Sequence, residues 1–219
     1  MKILGFHTCE KTGGWSYVWE NAPFLSGPTG PPDAKRWQWL TQGYYFWTDS
    51  DYFAHIWGTV GYKGEYSISR CNLDIPDELF LDIAGNVNSQ LYFNELTKLY
   101  ERRLRNAGKS EDPTIATTIA HYRLKEESSS GRGMFPFWAV KAQDTFHSER
   151  NDIAFTPKSK ESTIVLTRQQ VCLFEKAKKC IVDKVVVYPE EFSNRVEAVL
   201  NLRKVSSYDE STDGIIEIS

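Results

Sequence analysis

Residues 43–48 read Gly-Tyr-Tyr-Phe-Trp-Thr, and an Asp-Ser-Asp cluster follows at 49–51. The aromatic run is typical of a β-strand, because aromatic side chains fit a pleated, half-buried surface. The acidic cluster supplies good helix N-cap side chains, and the apolar residues between 53 and 60 recur at helical spacing. This stretch therefore predicts a strand that turns directly into a capped, amphipathic helix.

Other elements are predicted on either side of this stretch. Residues 2–7 (KILGFH) predict a short strand that ends on a histidine. The span 10–36 is rich in Gly, Pro and Trp, and this composition predicts a long loop without regular structure. Downstream, alternating hydrophobicity predicts a strand over 65–75, and Pro76 opens a predicted short helix over 78–83.

The second half of the chain predicts a helical block and then a series of strands. An apolar stripe predicts a helix over about 89–106, and another helix begins after Pro113. The SSSGRG segment at 128–133 predicts a flexible joint within one domain. The remaining predicted elements are strands at 135–141, 152–156, 163–167, 170–174 and 180–188, and a last helix from Pro189 that carries Phe192, Val196, Val199 and Leu200. This order indicates an α+β fold, and no G-x-G-x-x-G supports a Rossmann site.

The length and composition are those of an ordinary globular chain. Its 219 residues suffice for one substantial core and are few for two, with 41% hydrophobic and 25% charged residues. We therefore expect a single domain over residues 1–205 and a polar, acidic tail over 206–219. The net charge of −3 and an isoelectric point near 5.9 exclude a strongly basic surface of the kind that binds polyanions non-specifically.

The cysteine spacing and the N-terminal residues indicate the cellular compartment in which the protein is expected. The four cysteines are scattered without C-x-x-C or zinc-ligand spacing, so we expect no metal site. The first residues lack the apolar region of a signal peptide, and no apolar run approaches the ~20 residues that span a bilayer. These features predict a cytoplasmic protein without a membrane partner.

Two short motifs carry a resemblance to a known family. The first is Phe6-His7-Thr8 at the end of the first predicted strand, and the second is the GYYFWT strand with the helix that follows it. In this order they resemble the His-Tyr-Glu branch of the ADP-ribosyltransferase superfamily, which contains diphtheria toxin and the poly(ADP-ribose) polymerases. The resemblance implies split mixed and antiparallel β-sheets with flanking helices, and it implies NAD as co-substrate.

The resemblance assigns roles to the first motif. His7 matches the catalytic histidine, whose ring can hydrogen-bond a ribose hydroxyl of NAD. Thr8 stands where the family usually has glycine, and its backbone N–H and C=O would bind the carboxamide of nicotinamide. Because only backbone atoms are required there, threonine suits the position if its φ is negative.

The second motif supplies the aromatic walls of the implied NAD site. Tyr45 matches the catalytic tyrosine beside the cationic nicotinamide ring, where cation–π attraction is worth about 1–2 kcal/mol. Tyr44 is the alternative one position earlier, and Gly43 opens the motif. Trp57, on the helix that follows, is a candidate for the second wall.

The family's catalytic glutamate is the point at which this sequence departs from the pattern. On the predicted strand QQVCLF the expected acid falls on Gln170, which accepts hydrogen bonds but brings no charge. Loss of that charge typically costs one to a few kcal/mol, or about ten- to several-hundred-fold in rate. Glu175 and Glu161, on either side of this strand, are candidate substitutes.

Three functions remain open at this point. The first is mono-ADP-ribosylation of a macromolecule, protein or nucleic acid, by a toxin or phage-defence effector that an antitoxin or other regulatory protein restrains. The second is a degenerate module that binds NAD, ADP-ribose or a protein without turnover, and the neutral Gln170 favours it. The third is transfer of a phosphate from RNA onto NAD, which needs several arginines near the ligand.

Each motif also has a simpler structural interpretation. A single histidine such as His7 is often a core residue with its hydrogen bonds satisfied, and an aromatic strand is often core. Arg102, Arg103 and Arg105 indicate a solvated helix face or, alternatively, a phosphate or nucleic-acid patch, and Arg132 is a candidate contact to an anionic target. The other three histidines, His55, His121 and His147, share no spacing with further metal ligands.

Overall fold

The computed structural model describes residues 1–27, 38–128, 131–144 and 151–195. The first half contains β1 (Lys2–Glu10), α1 (Gly14–Asn21), β2 (Tyr44–Thr48), α2 (Tyr52–Gly61), β3 (Tyr66–Asp74), a 3₁₀ turn (Asp77–Leu79), β4 (Phe80–Asp82) and α3 (Val87–Asn106). The second half contains α4 (Ile115–Glu126), β5 (Ala139–Asp144), β6 (Asn151–Ala154), β7 (Ser162–Val165), β8 (Arg168–Leu173), a 3₁₀ turn (Glu175–Cys180) and β9 (Ile181–Tyr188).

One seven-stranded sheet organises the described chain, in the order β4-β5-β8-β2-β1-β3-β9, and β6 and β7 form a separate hairpin. β4 and β5 pair in parallel, and the other neighbouring strands of the large sheet pair antiparallel. The mixed α+β class with flanking helices is confirmed. The finer expectation, two split sheets as in the ADP-ribosyltransferases, stays a prediction.

The helices α2, α3 and α4 cover one face of this sheet, here called the helical face. α2 packs there against β1 and β3 in a cluster that contains Phe6, Trp47 and Ile68. α3 and α4 pack over β5 and β8 in a larger cluster that contains Ile119 and Cys172. The opposite face, here called the α1 face, lies under α1 and the 3₁₀ turn at 175–180.

Most predicted elements are confirmed, and two predictions are wrong. The span 10–36 contains a helix, α1, because Gly13 at φ 87° starts it and the run from Trp15 to Trp19 packs its apolar side against β9. The predicted helix over 78–83 is a 3₁₀ turn followed by β4, since Phe80 and Leu81 pair with β5. Residues 190–195 continue the chain as helix. The rest of that predicted helix and the tail at 206–219 lie outside the described residues.

Candidate functional site

The three residues that the family resemblance selects lie on three adjacent strands. β1 carries His7, β2 carries Tyr45 and β8 carries Gln170, and β2 lies between the other two. In the ladder, Trp47 of β2 pairs with Gln170 on one side and with Phe6 on the other. Residues that are far apart in sequence are therefore neighbours at the centre of the sheet.

The sheet is incompletely paired at this point. β1 and β2 pair only at Gly5–Thr48 and Phe6–Trp47, whereas β1 pairs with β3 along its whole length. The segment 24–26 fills the space next to the start of β2. Ser26 donates its backbone N–H to Gly43 O, at 3.0 Å, and its hydroxyl accepts from Gly43 N, at 3.1 Å.

His7 connects the two strands where their ladder stops. Its Nε2 accepts a hydrogen bond from the backbone N–H of Phe24 at 3.0 Å, so the proton of the neutral ring is on Nδ1. Nδ1 donates to the backbone carbonyl of Tyr45 at 2.9 Å. Both ring nitrogens of this 6% exposed side chain are therefore engaged with backbone.

Burial sets the charge of this histidine. It lowers the pKa of His7 from 6.5 to about 4, because a charged imidazolium would lose its hydration, and the bond to Tyr45 offsets only part of this effect. At neutral pH the ring is uncharged. A protonated Nε2 would also have to face the N–H of Phe24, which is itself a donor.

The rings of His7 and Tyr45 point to opposite faces of the sheet. His7 contacts the ring of Phe46 on the α1 face, with 5.9 Å between centroids. Tyr45 is the neighbour of Phe46 on the same strand, so its side chain alternates to the helical face. The two side chains to which the resemblance assigns contacts with one NAD molecule therefore do not face each other across a single cleft, because they extend from opposite faces of the sheet.

Tyr45 closes the loop that precedes its own strand. Its hydroxyl accepts from Leu40 N at 2.9 Å and donates to Thr41 O at 2.6 Å. Burial raises the pKa of Tyr45 above its usual range, so the phenol stays protonated and can donate. Thr41 has φ 72°, a left-handed conformation that this pair of bonds holds in place.

Gln170 shares the helical face with Tyr45 and Trp47. Trp47 packs into the α2 cluster, whereas Tyr45 packs against the α3–α4 cluster. The face between these two residues is therefore the seam between two groups of helices, and Gln170 lies directly beside it. The half-buried Gln170 side chain has no hydrogen-bond partner among the described residues. An amide oxygen available at a seam is suited to accept a hydrogen bond from a ligand.

Neither of the two candidate glutamates adjoins Gln170. Glu175 accepts from Arg123 Nη2 at 2.5 Å, and the same guanidinium donates to Thr41 Oγ1 at 2.7 Å and to Gln42 O at 2.8 Å. This carboxylate therefore belongs to a network that holds the loop before β2. Glu161 is exposed and accepts from the hydroxyl of Ser159.

The residues predicted to bind NAD are dispersed. Thr8 lies on the helical face, where its hydroxyl donates to Ala54 O at 3.0 Å, and its φ is not positive. Tyr44 is buried on the α1 face with Phe46. Trp57 is 47% exposed on α2 and lies over Gly61, so it does not share a packing cluster with Tyr45.

Gly43 is required by packing against β8. A Cβ atom built at this position would lie 2.4 Å from Cys172 Sγ and 2.7 Å from Leu173 O. Any side chain would therefore separate β2 from β8. The structure gives this glycine a role in strand approach.

Arg123, Arg168 and the segment 24–26 surround the site, although no motif in the sequence selects them. Arg168 lies two residues before Gln170, pairs with Asp144 and stacks on Trp39 at 4.9 Å. The alternation of β8 signals that Arg168 and Gln170 share a face. No pattern in the sequence links Arg123 to Thr41, which is 82 residues away.

The remaining candidates lie away from this site. Arg105 pairs with Glu101 on α3, while Arg102, Arg103 and Arg132 are exposed. His55 contacts Tyr66 and His121 stacks on Tyr100, whereas His147 lies outside the described residues. The described residues form no group of three or more His, Cys, Asp or Glu side chains able to hold a metal ion. None of the helices in the described ranges has the length and apolar character to cross a membrane.

The comparisons with known proteins were made at the level of sequence family, curated protein and solved structure, and no match was found at any of the three levels.

Proposed function

We propose that this chain is an NAD-dependent mono-ADP-ribosyltransferase whose reaction takes place on the helical face of the sheet, at the seam beside β2 and β8. The observation that carries the proposal is the placement of Tyr45, Trp47 and Gln170 on one face of two paired strands. Gln170 contributes a half-buried amide oxygen at this seam, between the buried ring of Trp47 and the partly buried ring of Tyr45. The order of the motifs Phe6-His7-Thr8 and GYYFWT supports the proposal independently, whereas Gln170 stands where the family has glutamate.

The proposed reaction breaks the bond between the nicotinamide nitrogen and C1′ of the ribose. The bonding electrons leave with the pyridinium ring as neutral nicotinamide, and the ribose becomes an oxocarbenium-like cation. A nucleophile of a macromolecular acceptor then bonds to C1′ and releases its proton to solvent. The amide oxygen of Gln170 accepts a hydrogen bond from the ribose and stabilises the positive charge through its dipole.

His7 acts in this proposal as a positioning residue. Its ring lies on the opposite face, but its Nδ1–H holds the backbone carbonyl of Tyr45 at 2.9 Å. That bond fixes β2 against β1 where their ladder is interrupted. The role differs from the direct contact with ribose that the family resemblance implies.

A second candidate is a module that binds NAD or ADP-ribose without turnover. The observation that favours it is the absence of a carboxylate at the position of Gln170, since Glu175 pairs with Arg123 and Glu161 is exposed. Phosphate transfer from RNA has less support, because the described arginines nearest the site, Arg123 and Arg168, are held by Glu175 and Asp144.

Release of free nicotinamide from NAD separates the two candidates. For the transferase we expect slow release by the wild type and a rise of about ten- to a hundredfold in Gln170→Glu, because a carboxylate stabilises the cation more strongly. Gln170→Ala should abolish release. Gln169→Ala is the matched control, because this neighbour alternates to the other face and bonds to Thr167.

Each outcome decides between the candidates. Release that is lost in Gln170→Ala and kept in Gln169→Ala supports the transferase. Wild type that binds NAD, as judged by a raised melting temperature, without release in any variant supports the binding module. A chain that neither binds NAD nor releases nicotinamide, with or without a cell extract as the source of acceptor, contradicts both.

A further inference from the structure

A cleft of about 460 Å³ lies on the other side of the sheet, between the end of α1 and β9. Its lining includes Trp19 and Pro23 from the α1 side, and Lys178 and Lys184 from the 3₁₀ turn and β9. Lys184 pairs with Cys71, which packs with Phe46 on the α1 face. The cleft and Gln170 are therefore on opposite faces, so this site is distinct from the proposed NAD site.

Lys184 is fixed in place by the end of α1. Its ammonium group donates to Ala22 O at 2.6 Å and to Glu20 O at 3.1 Å. An ammonium group has three N–H donors, so two are used by the protein and one is left for a ligand. A cation held in this manner needs little reorganisation to bind an anion.

Lys178 also lines this cleft, and its Nζ lies 5.7 Å from the centre of the Tyr44 ring. Burial lowers the pKa of Lys184, and the positive charge of Lys178 acts in the same direction, as expected for two cations that repel each other. An oxyanion between them would relieve this repulsion and contact both.

The acidic residues at the cleft only partly compensate these charges. Asp183 pairs with Asn72 in the ladder, and its Oδ2 accepts from Asn72 Nδ2 at 3.3 Å. Asp183 is among the residues that line the cleft, but strand alternation directs its carboxylate to the face opposite Lys184. Glu20 is the carboxylate that remains near Lys184, and it lies exposed at the rim.

Trp19 gives the cleft an aromatic wall. Trp15 stacks on it at 5.7 Å with an angle of 13° between the rings, which fixes its orientation. The cleft lies within the range of about 300–1,000 Å³ that is typical of small-molecule sites. A flat ring against Trp19 would place an attached phosphate chain toward the lysines.

We propose that this cleft binds a nucleoside phosphate, with the phosphates on Lys178 and Lys184 and the base against Trp19. The proposal is independent of the NAD site, because it uses none of the residues on the helical face. The bound nucleotide would tie α1 to β9 through Lys184.

Calorimetric titration with ADP tests this proposal, with adenosine and inorganic pyrophosphate as separate arms. We expect ADP to bind, and Lys178→Gln to weaken binding about tenfold or more, since one charge-assisted contact is lost. Lys179→Gln is the matched control, because this exposed neighbour lies over Trp138 at 4.7 Å and does not line the cleft. Trp19→Leu should weaken the binding of ADP more than the binding of pyrophosphate, because only ADP carries a base.

The variants also separate this cleft from the NAD site. ADP binding that survives Gln170→Ala but falls in Lys178→Gln supports the cleft. Binding that is equal in Lys178→Gln and Lys179→Gln, or lost in Gln170→Ala, overturns the proposal, as does the absence of binding at millimolar ADP. Adenosine that binds as tightly as ADP also overturns it, because the phosphates would then contribute nothing.

Discussion

The Nδ1 atom of His7 lies 2.9 Å from the backbone carbonyl of Tyr45, so a buried neutral imidazole joins two strands whose ladder ends one residue earlier. The other ring nitrogen accepts from Phe24 N at 3.0 Å, which ties the segment after α1 to the same point. The central strands therefore depend on the uncharged form of one histidine.

The first prediction is that the folded protein loses stability at acid pH when His7 becomes protonated. The pKa of His7 falls from 6.5 to about 4 in the folded state, so its contribution to stability is complete above pH 6.5 and is lost as the pH falls towards 4. The pKa of His121 is also lowered to about 4, chiefly by burial and then by the positive charge of Arg103. In a His121→Gln background, we expect the free energy of unfolding to fall below pH 6.5 by up to about 1.4 kcal/mol per pH unit.

NMR of the imidazole ring checks this charge directly. The Cε1–H signal of His7 should stay at the neutral position between about pH 7 and pH 5. A signal that titrates near 6.5 would show that burial does not control this histidine.

The second prediction concerns Gly43. Gly43→Ala would place a Cβ atom 2.4 Å from Cys172 Sγ, and the nearby backbone of Leu173 leaves little room to adjust. We expect a loss of about 1–3 kcal/mol in urea unfolding, the range for overpacking. Gly27→Ala is the control, because its nearest neighbour is the flexible Gln38 side chain at 3.6 Å. Equal losses in the two variants would mean that β2 and β8 can separate freely.

The third prediction concerns the Arg123 network. Arg123→Met removes the donor to Glu175, Thr41 and Gln42 and leaves a partly buried carboxylate unpaired, so we expect a loss of about 2–4 kcal/mol. Arg105→Met breaks an exposed pair with Glu101 and should cost less than about 1 kcal/mol. Urea unfolding of both proteins measures the difference. A loss for Arg123→Met no larger than for Arg105→Met would contradict the network's role.

The fourth prediction concerns the hydroxyl of Tyr45. Tyr45→Phe removes its bonds to Thr41 O and Leu40 N and should cost about 1–3 kcal/mol, because both groups belong to a constrained loop. Tyr100→Phe is the control, since that ring stacks on His121 and its hydroxyl has no hydrogen-bond partner among the described residues. Thermal unfolding of the two variants gives the comparison, and a Tyr45→Phe protein as stable as the control would show that the loop closes without this bond.

The sequence predicts the sheet strands well because alternation is local. The aromatic strand at 43–48 and the helix after it match β2 and α2, since both are decided by adjacent residues. The predicted capping at the N-cap is wrong, because the side chain of Asp51 makes no capping hydrogen bond to α2. α1 was missed because glycines and aromatic residues resemble a loop until Trp15 and Trp19 find their packing partners. β4 was missed because its pairing with β5 joins residues almost 60 positions apart.

The candidate site was harder to predict than the strands. Strand order places His7, Tyr45 and Gln170 on three neighbouring strands. The order of the motifs along the sequence predicts that these strands lie close together. Which face each ring takes depends on a single residue of register, and the sequence does not specify the register between β1 and β2. The Arg123 network depends on where α4 packs, which local sequence does not encode.

Titration of the protein with NAD, followed in a ¹H–¹⁵N spectrum, shows which face of the sheet binds NAD. We expect NAD to shift the signals of the Gln170 side-chain amide and the Trp47 indole N–H, while the signal of the Trp138 indole, on the α1 face, stays in place. Shifts confined to residues of the α1 face, or no shift at millimolar NAD, would contradict a nicotinamide site beside β2 and β8.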